Sequence, residues 1–347
     1  MLRDELMKVV KHQDANGDYV FQTGIDIPAA DRDAALTTMA RAGALLFQTV
    51  FFGPGAGADA KSVGNYLREA AADPTRRLKL QVVAEVAPIP WGLLYVGNAA
   101  AGAKLDWDLF IGMRHVVEEI PLQTTLGIAD SAIASEPRLA VSVNANTGID
   151  AQFGITVIAD QQTYWSTAAT KRQRVGVTSR ATRAEVVTAL ANAATDDQIL
   201  YFYCHAESAG LAAAGGPGAS ALGLTDAKLT LADLRLDAPT SIPLAGKPLV
   251  FINACESANL SPAFYDGFVP YFMDKGARGV VGTQCETPAL FAAKWAERFF
   301  DRFFAGEAIG DAFLDLRREF LEQHGNPLGL LYAVHCDGDT RIEPAFA

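Results

Sequence analysis

The sequence has few cysteines and no long apolar run. Its four cysteines in 347 residues are too sparse for a disulfide scaffold, and no two of them form the CxxC pair that is typical of a zinc site. No stretch approaches the ~18 consecutive apolar residues of a membrane-spanning helix. We therefore expect a functional cysteine to act as a thiol, and we expect no membrane partner.

Positive charge is scarce as well. The chain has 29 Lys and Arg residues against 40 Asp and Glu residues, which gives a net charge of −11. Basic side chains supply most of the affinity for a phosphate backbone, so this balance argues against nucleic acid as a partner. The charged N-terminus, Met1 to Asp14, also differs from the apolar stretch of a signal peptide, and the cytoplasm is the expected location.

The chain does have enough apolar residues for a large core. They make up 50% of the sequence, with charged residues at 20%, a balance typical of globular proteins. At ~150 residues per domain, the length fits two domains or one large α/β unit. The apolar pattern changes near residue 150, and we predict a boundary there, between 1–150 and 151–347.

Residues 1–150 predict a mixture of helices and isolated strands. Apolar side chains recur every three or four residues in the predicted helices, at 32–51 and 62–72. They alternate with more polar side chains over 78–86, which is the period of a half-buried strand. Further strands are predicted at 115–120 and 138–144.

Residues 151–347 contain short apolar runs separated by helical segments. This pattern is typical of a largely parallel sheet that helices cover on both faces. The stretch 209–223 is rich in alanine and glycine and is predicted to be a flexible surface loop. The predicted strands are 199–203, 249–252, 279–283 and 329–336, and the predicted helices are 183–194, 257–275, 289–304 and 307–323.

Two short motifs resemble known binding loops but lack required residues. GAGADAKS at 55–62 is similar to a phosphate-binding loop, yet Ala60 replaces the glycine before the lysine. DANGD at 14–18 has the acidic spacing of a calcium loop, yet Tyr19 and Ile25 occupy the positions of its glycine and its bidentate glutamate. We interpret these segments as a linker and a turn.

A histidine and a cysteine directly follow two of the predicted strands. His205 comes after ILYFYC, and Cys255 comes after LVFINA, 50 residues later. The carboxyl ends of neighbouring parallel strands form the crevice where open α/β sheets bind ligands, so the two residues are candidates to face each other. Taken singly, the cysteine would be a small core residue and the histidine a satisfied polar group. Taken together, they predict a catalytic pair.

Such a pair fits acyl transfer. The thiolate is the nucleophile, and a free thiol with a pKa of ~8.5 is mostly protonated at neutral pH, so a nearby imidazole is needed to take its proton. The same imidazole can protonate the leaving amine. The amino end of a helix that begins just after Cys255 would favour the thiolate further.

Six blocks of the sequence occur in an order that matches a known family. FYCHAE at 202–207 and VFINACESA at 250–258 carry the histidine and the cysteine. The other blocks are IPWGLLY at 89–95, LTLADLRL at 229–236, GARGVVGTQ at 276–284 and NPLGLLYAV at 326–334. Together they resemble the CHAT domains, which are caspase-like peptidases of the clan that contains separase.

The resemblance implies a role for each matching position. It implies a nucleophile at Cys255, a general acid/base at His205, and an oxyanion hole formed by the backbone amides of Ala206 and Cys255. Where the family has Gly-His-Gly, this chain has Cys204-His205-Ala206, and we interpret Cys204 as a packing residue. The resemblance further implies a substrate pocket, whose residues would be Asn253, Thr283, Gln284 and Glu286.

The resemblance also implies a fold and a function. The fold is a caspase-like three-layer α/β sandwich with a mostly parallel central sheet, in which 1–150 either forms a degenerate second caspase-like unit or packs beside the active half. The function is a regulated cysteine endopeptidase that cleaves a protein partner, with a protein activator or sensor, in bacterial immunity or programmed death. No cofactor or metal is implied. Two alternatives stay open: a catalytically silent CHAT scaffold for protein interaction, and a thiol hydrolase or acyltransferase acting on a small substrate.

Overall fold

Strands and helices alternate along most of the chain. The computed structural model describes residues 2–84, 89–121, 130–207, 216–254 and 262–346. The strands in these ranges are β1 (Lys79–Ala84), β2 (Val116–Pro121), β3 (Ala132–Ala134), β4 (Leu139–Ala145), β5 (Val175–Arg180), β6 (Ile199–Glu207), β7 (Ala221–Gly223), β8 (Lys228–Thr230), β9 (Leu249–Ala254), β10 (Gly279–Thr283), β11 (Tyr332–His335) and β12 (Arg341–Glu343). The helices are α1 (Leu2–Val10), α2 (Val20–Thr23), α3 (Ala29–Phe52), α4 (Ala58–Ala72), α5 (Ile111–Arg114), α6 (Ile149–Phe153), α7 (Val157–Lys171), α8 (Arg183–Leu190), α9 (Leu231–Asp237), α10 (Pro262–Asp274), α11 (Ala289–Phe304) and α12 (Ile309–His324).

Most of these strands join one large sheet. Its order is β11-β10-β9-β6-β4-β5, and β7 and β8 extend it from the end of β6. In this order all neighbouring strands from β10 to β5 pair in parallel. Strand β11 is an edge strand and runs antiparallel to β10. Parallel strands are buried on both faces, which explains why β9 and β10 consist mostly of apolar and small residues, with one polar residue near the end of each. The predicted mostly parallel sheet is confirmed.

Helices cover both faces of this sheet. On the face that we call the α11 face, Trp165 of α7 and Phe300 of α11 pack against Tyr201, with ring centroids 5.5 and 5.3 Å apart. On the opposite face, the α10 face, Phe272 of α10 packs against Phe202 at 5.9 Å, and α8 and α9 join the same apolar cluster. Side chains alternate between the two faces along each strand. The predicted three-layer α/β sandwich is confirmed.

The N-terminal helices pack beside the sheet. A small cluster that includes Phe47 and Phe51 of α3 and Leu67 of α4 lies against the parallel pair of β1 and β2. By length and composition α3 could cross a membrane, a test that core helices of soluble proteins also pass, and six of its 24 residues are buried, Ala40 and Phe47 among them. Strand β4 lies inside the main sheet although it precedes residue 150. The boundary at 150 and the degenerate second unit stay predictions.

The segment predicted as a surface loop departs from expectation. Residues 208–215 lie outside the described residues, but Ser220, Ala221 and Leu222 are buried, and β7 pairs with the last residues of β6. The prediction of an exposed loop is therefore wrong at 220–223. Alanine and glycine suit a flexible linker, but the same small residues also fit a strand that packs closely beside β6 and β8.

Candidate active site

His205 lies where the main sheet ends at its carboxyl edge. Strand β6 pairs in parallel with β9 as far as Cys204, and its last three residues pair with β7 in the antiparallel sense, with His205 opposite Gly223. Odd-numbered residues of β6 face the α11 face, as Tyr201 and Tyr203 show. The imidazole continues this series beyond the packed core, where it is half-buried and reaches solvent.

Two side chains from α6 contact the imidazole. The Oε1 atom of Gln152 lies 3.3 Å from Nε2 of His205. The ring of Phe153 meets the imidazole edge-on, with centroids 5.6 Å apart and an interplanar angle of 64°. Both residues are solvent-exposed, and neither stands out in the sequence, since the contact spans more than fifty positions.

The loop that carries α6 is attached to the same strands as His205. Asn146, just after β4, donates from its backbone amide to the carbonyl of Tyr203 at 3.0 Å and from Nδ2 to the carbonyl of Gly223 at 3.1 Å. Its Oδ1 atom accepts from the amide of Gly148 at 2.9 Å. Since Tyr203 and Gly223 flank His205 on two strands, Asn146 fixes the start of α6 relative to the imidazole.

The strand register leads from His205 toward the predicted nucleophile. Tyr203 pairs with Asn253, and Cys204 pairs with Ala254, the last residue of β9. Cys255 follows Ala254 directly in the chain and lies outside the described residues, as do the other residues up to 261. The helix predicted at 257–275 is described from Pro262, as α10, so its effect on the thiolate stays a prediction.

Asn253 is enclosed in the core below this edge. Its side chain is fully buried, with Nδ2 donating to the hydroxyl of Tyr201 at 3.1 Å and to the carbonyl of Ala292 at 2.8 Å. The hydroxyl of Tyr332 donates to its Oδ1 atom at 2.6 Å. Both amide hydrogens and the carbonyl oxygen are thus engaged, and Asn253 ties β9 to β6, β11 and α11. A pocket role for Asn253 would require this network to open, so that role stays a prediction that the packing disfavours.

The other predicted pocket residues lie at the end of β10 and just after it, and they are mostly buried. Thr283 is completely buried, and its Oγ1 atom has no hydrogen-bond partner among the residues described. Gln284 lines a cavity of about 10 Å³, room for about one water molecule, beside Trp91. Glu286 is 7% exposed, and its Oε2 atom lies 3.7 Å from Nζ of Lys11. Their roles in substrate binding stay predictions.

Comparison with protein families identifies the chain. The model of the CHAT domain matches residues 42–329, which is more than four fifths of the sequence. The chain belongs to the CHAT domain family. This CHAT chain is 34% identical over 140 residues to a probable protease of Vitiosangium sp. (strain GDMCC 1.1324), a match that covers 39% of this chain and 17% of that relative. The chain therefore matches less than a fifth of the curated relative.

Solved structures with a similar course of the chain include gingipain R and separase. Gingipain R, an Arg-specific cysteine proteinase, is 10% identical with a TM-score of 0.45, over 90% of this chain and 76% of gingipain. The separase of Saccharomyces cerevisiae, in complex with securin, is 11% identical with a TM-score of 0.45, over 96% of this chain and 22% of that chain.

The CHAT chain contains a second neighbouring pair of histidine and cysteine. His335, at the end of β11, has Nδ1 3.3 Å from Oε2 of Glu119 on β2. Burial lowers the pKa of His335 to about 4. Burial raises the pKa of Glu119 to about 8, opposed by the guanidinium of Arg317. Burial also raises the pKa of the Cys336 thiol to about 12. Near pH 7 the imidazole of His335, the carboxyl group of Glu119 and the thiol of Cys336 are therefore all neutral.

Two further residues near His205 have structural roles. Cys204 is fully buried in the apolar cluster on the α10 face, which confirms its interpretation as a packing residue. Glu207 forms an exposed ion pair with Lys228 of β8, with the atoms 2.7 Å apart. Such an exposed pair contributes little to stability, and it holds the carboxylate of Glu207 toward β8.

Proposed function

We propose that this CHAT chain is a cysteine endopeptidase in which Cys255 is the nucleophile and His205 the general acid/base. The observation that carries the proposal is the register of β6 and β9. Tyr203 lies opposite Asn253 and Cys204 opposite Ala254. We propose that the same register continues for one more residue and brings Cys255 beside His205. Neighbouring strands are ~4.8 Å apart, so side chains of one pair are within reach of each other. The CHAT family model spans both positions, and the resemblance of the blocks at 202–207 and 250–258 implies the same two residues.

The proposed reaction has two halves. The imidazole takes the thiol proton, and the thiolate attacks the carbonyl carbon of the scissile peptide bond. The imidazolium then protonates the leaving amine, and an acyl-enzyme thioester remains. In the second half the imidazole deprotonates water, the hydroxide attacks the thioester, and the thiol is regenerated as the carboxylic acid product leaves.

The oxyanion of both tetrahedral intermediates needs donors. The proposal assigns the backbone amides of Ala206 and Cys255 to this role. Ala206 lies opposite Leu222 of β7, so β7 holds that part of the strand at the edge of the site. An alanine in place of the family's glycine keeps the amide and restricts its backbone freedom.

We propose that the substrate of this enzyme is a protein and that the enzyme acts in the cytoplasm. We propose that a protein activator or sensor controls the activity, in bacterial immunity or programmed death. The two other candidates, a catalytically silent scaffold and a thiol hydrolase or acyltransferase with a small substrate, share the fold and differ in whether and on what Cys255 reacts. The test therefore measures the reactivity of Cys255 directly.

The test uses peptidyl electrophiles that vary at the residue next to the reacting group. The wild type, Cys255→Ala and His205→Ala are treated with each reagent, and adducts are located by intact mass and peptide sequencing. His324→Ala is the matched control, because His324 is a partly exposed histidine bound to Asp26 on another surface. We expect labelling at Cys255 that is lost in Cys255→Ala, reduced at least about a hundredfold in His205→Ala, and unchanged in His324→Ala.

Each result discriminates among the candidates. Labelling by peptidyl reagents, together with cleavage of peptide substrates, supports the endopeptidase. Labelling by small acyl reagents but not by peptides of any sequence would favour the hydrolase or acyltransferase. Equal labelling of Cys255 in the wild type and in His205→Ala, without peptide cleavage, would contradict the dyad and favour the scaffold.

A further inference from the structure

We infer that Gln152 is a positioning residue that holds the imidazole of His205 in its productive orientation. The inference rests on the proposed function, since it assigns a partner to the proposed general acid/base. It starts from the contact between Oε1 of Gln152 and Nε2 of His205, at 3.3 Å. Nothing in the sequence distinguishes residue 152 as a partner of His205.

The chemistry of the contact selects one form of the imidazole. A carbonyl oxygen can only accept, so Nε2 must carry a hydrogen when it bonds Oε1. In the neutral ring the proton then resides on Nε2 and the lone pair on Nδ1, the atom that would accept the thiol proton under the proposed function. When Nδ1 is protonated, the Nε2–H group still donates to Gln152. The same contact therefore serves both protonation states of the catalytic cycle.

The backbone under Gln152 is held firmly enough to orient a side chain. Within α6, Ile149 is fully buried, and the carboxylate of Asp150 accepts from the amides of Ile158 and Ala159 at 2.9 and 3.0 Å. The amide of Thr147, just before α6, donates to Oγ1 of Thr225 at 2.9 Å. Together with the bonds of Asn146, these contacts attach both ends of the turn to neighbouring elements.

The side chains that touch the imidazole contribute little to the core. Gln152 is exposed, and Phe153, which meets the ring edge-on, is 40% exposed. Surface substitutions away from caps and networks usually change stability very little. A defect in a variant at Gln152 should therefore appear in the chemistry of the site rather than in the stability of the fold.

The test compares Gln152→Leu, which has no acceptor, with Gln152→Glu, which keeps one. Gln162→Leu is the matched control, because Gln162 is an exposed glutamine on α7 and undergoes the same chemical change. In full-length protein labelled with ¹⁵N-histidine, the nitrogen shifts of His205 report which nitrogen carries the proton. In parallel, the rate of Cys255 labelling and the separate values of kcat and KM are measured with the best peptide of the panel.

We expect the Nε2–H form to dominate in the wild type, in Gln152→Glu and in Gln162→Leu, and to lose population in Gln152→Leu. We expect kcat and the labelling rate to fall roughly threefold to tenfold in Gln152→Leu, the range of one solvent-accessible hydrogen bond, with KM and the thermal midpoint unchanged. Rescue by Gln152→Glu is expected, because a carboxylate accepts at least as well.

Two kinds of outcome overturn the inference, and they differ from failure of the proposed function. If Gln152→Leu leaves both the proton position and kcat unchanged, Gln152 does not position His205. If its rate falls only in step with the thermal midpoint, and Gln152→Glu does not restore it, the role is structural. Failure of the proposed function would instead show as Cys255 labelling that is independent of His205, while the nitrogen shifts would still report the contact with Gln152.

Discussion

The sequence places a histidine next to a cysteine twice. One pair lies at the carboxyl edge of the main sheet, where its parallel strands end, and the other lies at the amino edge, where they begin. Cys204 and His205 lie at the carboxyl ends of the parallel strands. His335 and Cys336 lie at the amino ends, because β11 runs antiparallel to β10 and pairs His335 with Val280. The two pairs therefore have different environments, and of their two imidazole rings only that of His205 reaches solvent.

The difference shows that burial, more than residue type, decides what such a pair can do. At the amino edge, burial holds the pKa of His335 at about 4 and raises the pKa of the Cys336 thiol to about 12. Neither group can exchange protons near neutral pH. At the carboxyl edge, the half-buried imidazole of His205 has a polar partner in Gln152. His205 lies near the end of β6, which pairs in parallel with β9. General acid/base chemistry needs this second kind of environment.

The largest expected effect is on the thiol of Cys336. A pKa of about 12 in place of the usual 9 leaves about a thousand times less thiolate at neutral pH, and the thiolate is the reactive species. We expect iodoacetamide to modify Cys336 at least about a thousandfold more slowly in the folded protein than in the unfolded protein. Peptide mass spectrometry after timed alkylation, with and without denaturant, measures this ratio.

Fast modification of Cys336 in the folded protein would break the comparison, because burial at the amino edge would then not keep this thiol protonated and protected. The buried Cys204 and Cys285 are internal controls in the same samples. They should also react slowly until the protein unfolds.

The next effect concerns how tightly each edge is packed. A Cβ atom on Gly279 would overlap Cβ of Cys336, whereas a Cβ atom on Gly223 would lie 3.3 Å from Cβ of His205. We expect Gly279→Ala to lower the free energy of unfolding by about 3 kcal/mol, and we expect Gly223→Ala to cost less than about 1 kcal/mol. Urea titrations of the two variants check this, and equal losses would show that the His205 edge is packed as densely as the other.

The strands that carry the site could be predicted because their apolar runs are continuous. The predicted strands at 199–203, 249–252 and 279–283 match the cores of β6, β9 and β10, and the end of the first gives the position of His205 in the fold. Such runs need no knowledge of neighbours, since a parallel strand is buried on both faces whatever surrounds it.

Features that depend on distant contacts could not be predicted in this way. Gln152 is one polar residue on an exposed turn, and nothing local distinguishes it from Gln162. Glu119 and His335 each lie on short strands whose proximity arises only when β2 meets β11. The burial of Asn253 did have a local signal, because the alternation of β9 places it on the same face as Phe251, in the core.

The smallest effect is a pH dependence of stability that arises at the buried edge. With a pKa of about 8 in the folded state and an ordinary value of 4.5 in the unfolded state, Glu119 binds its proton more tightly when folded, so stability falls as the pH rises between these values. The pKa of His335 is about 4 in the folded state, against an ordinary value of 6.5. His335 therefore has the opposite effect on stability, but only below pH 6.5. The net loss from this pair is therefore expected between about pH 6.5 and 8, and amounts to about 1–2 kcal/mol.

Glu119→Gln should remove this loss, because the amide does not ionise and can still donate a hydrogen bond to Nδ1 of His335. Urea titrations at pH 6.5, 7.2 and 8 compare the wild type with this variant and with Glu322→Gln, which changes an exposed carboxylate. The wild type and Glu322→Gln should lose stability over this range while Glu119→Gln does not. A loss of equal size in all three proteins would mean that Glu119 is already ionised at pH 6.5. The buried edge would then carry a charge, and the contrast between the two histidines would have to rest on solvent access alone.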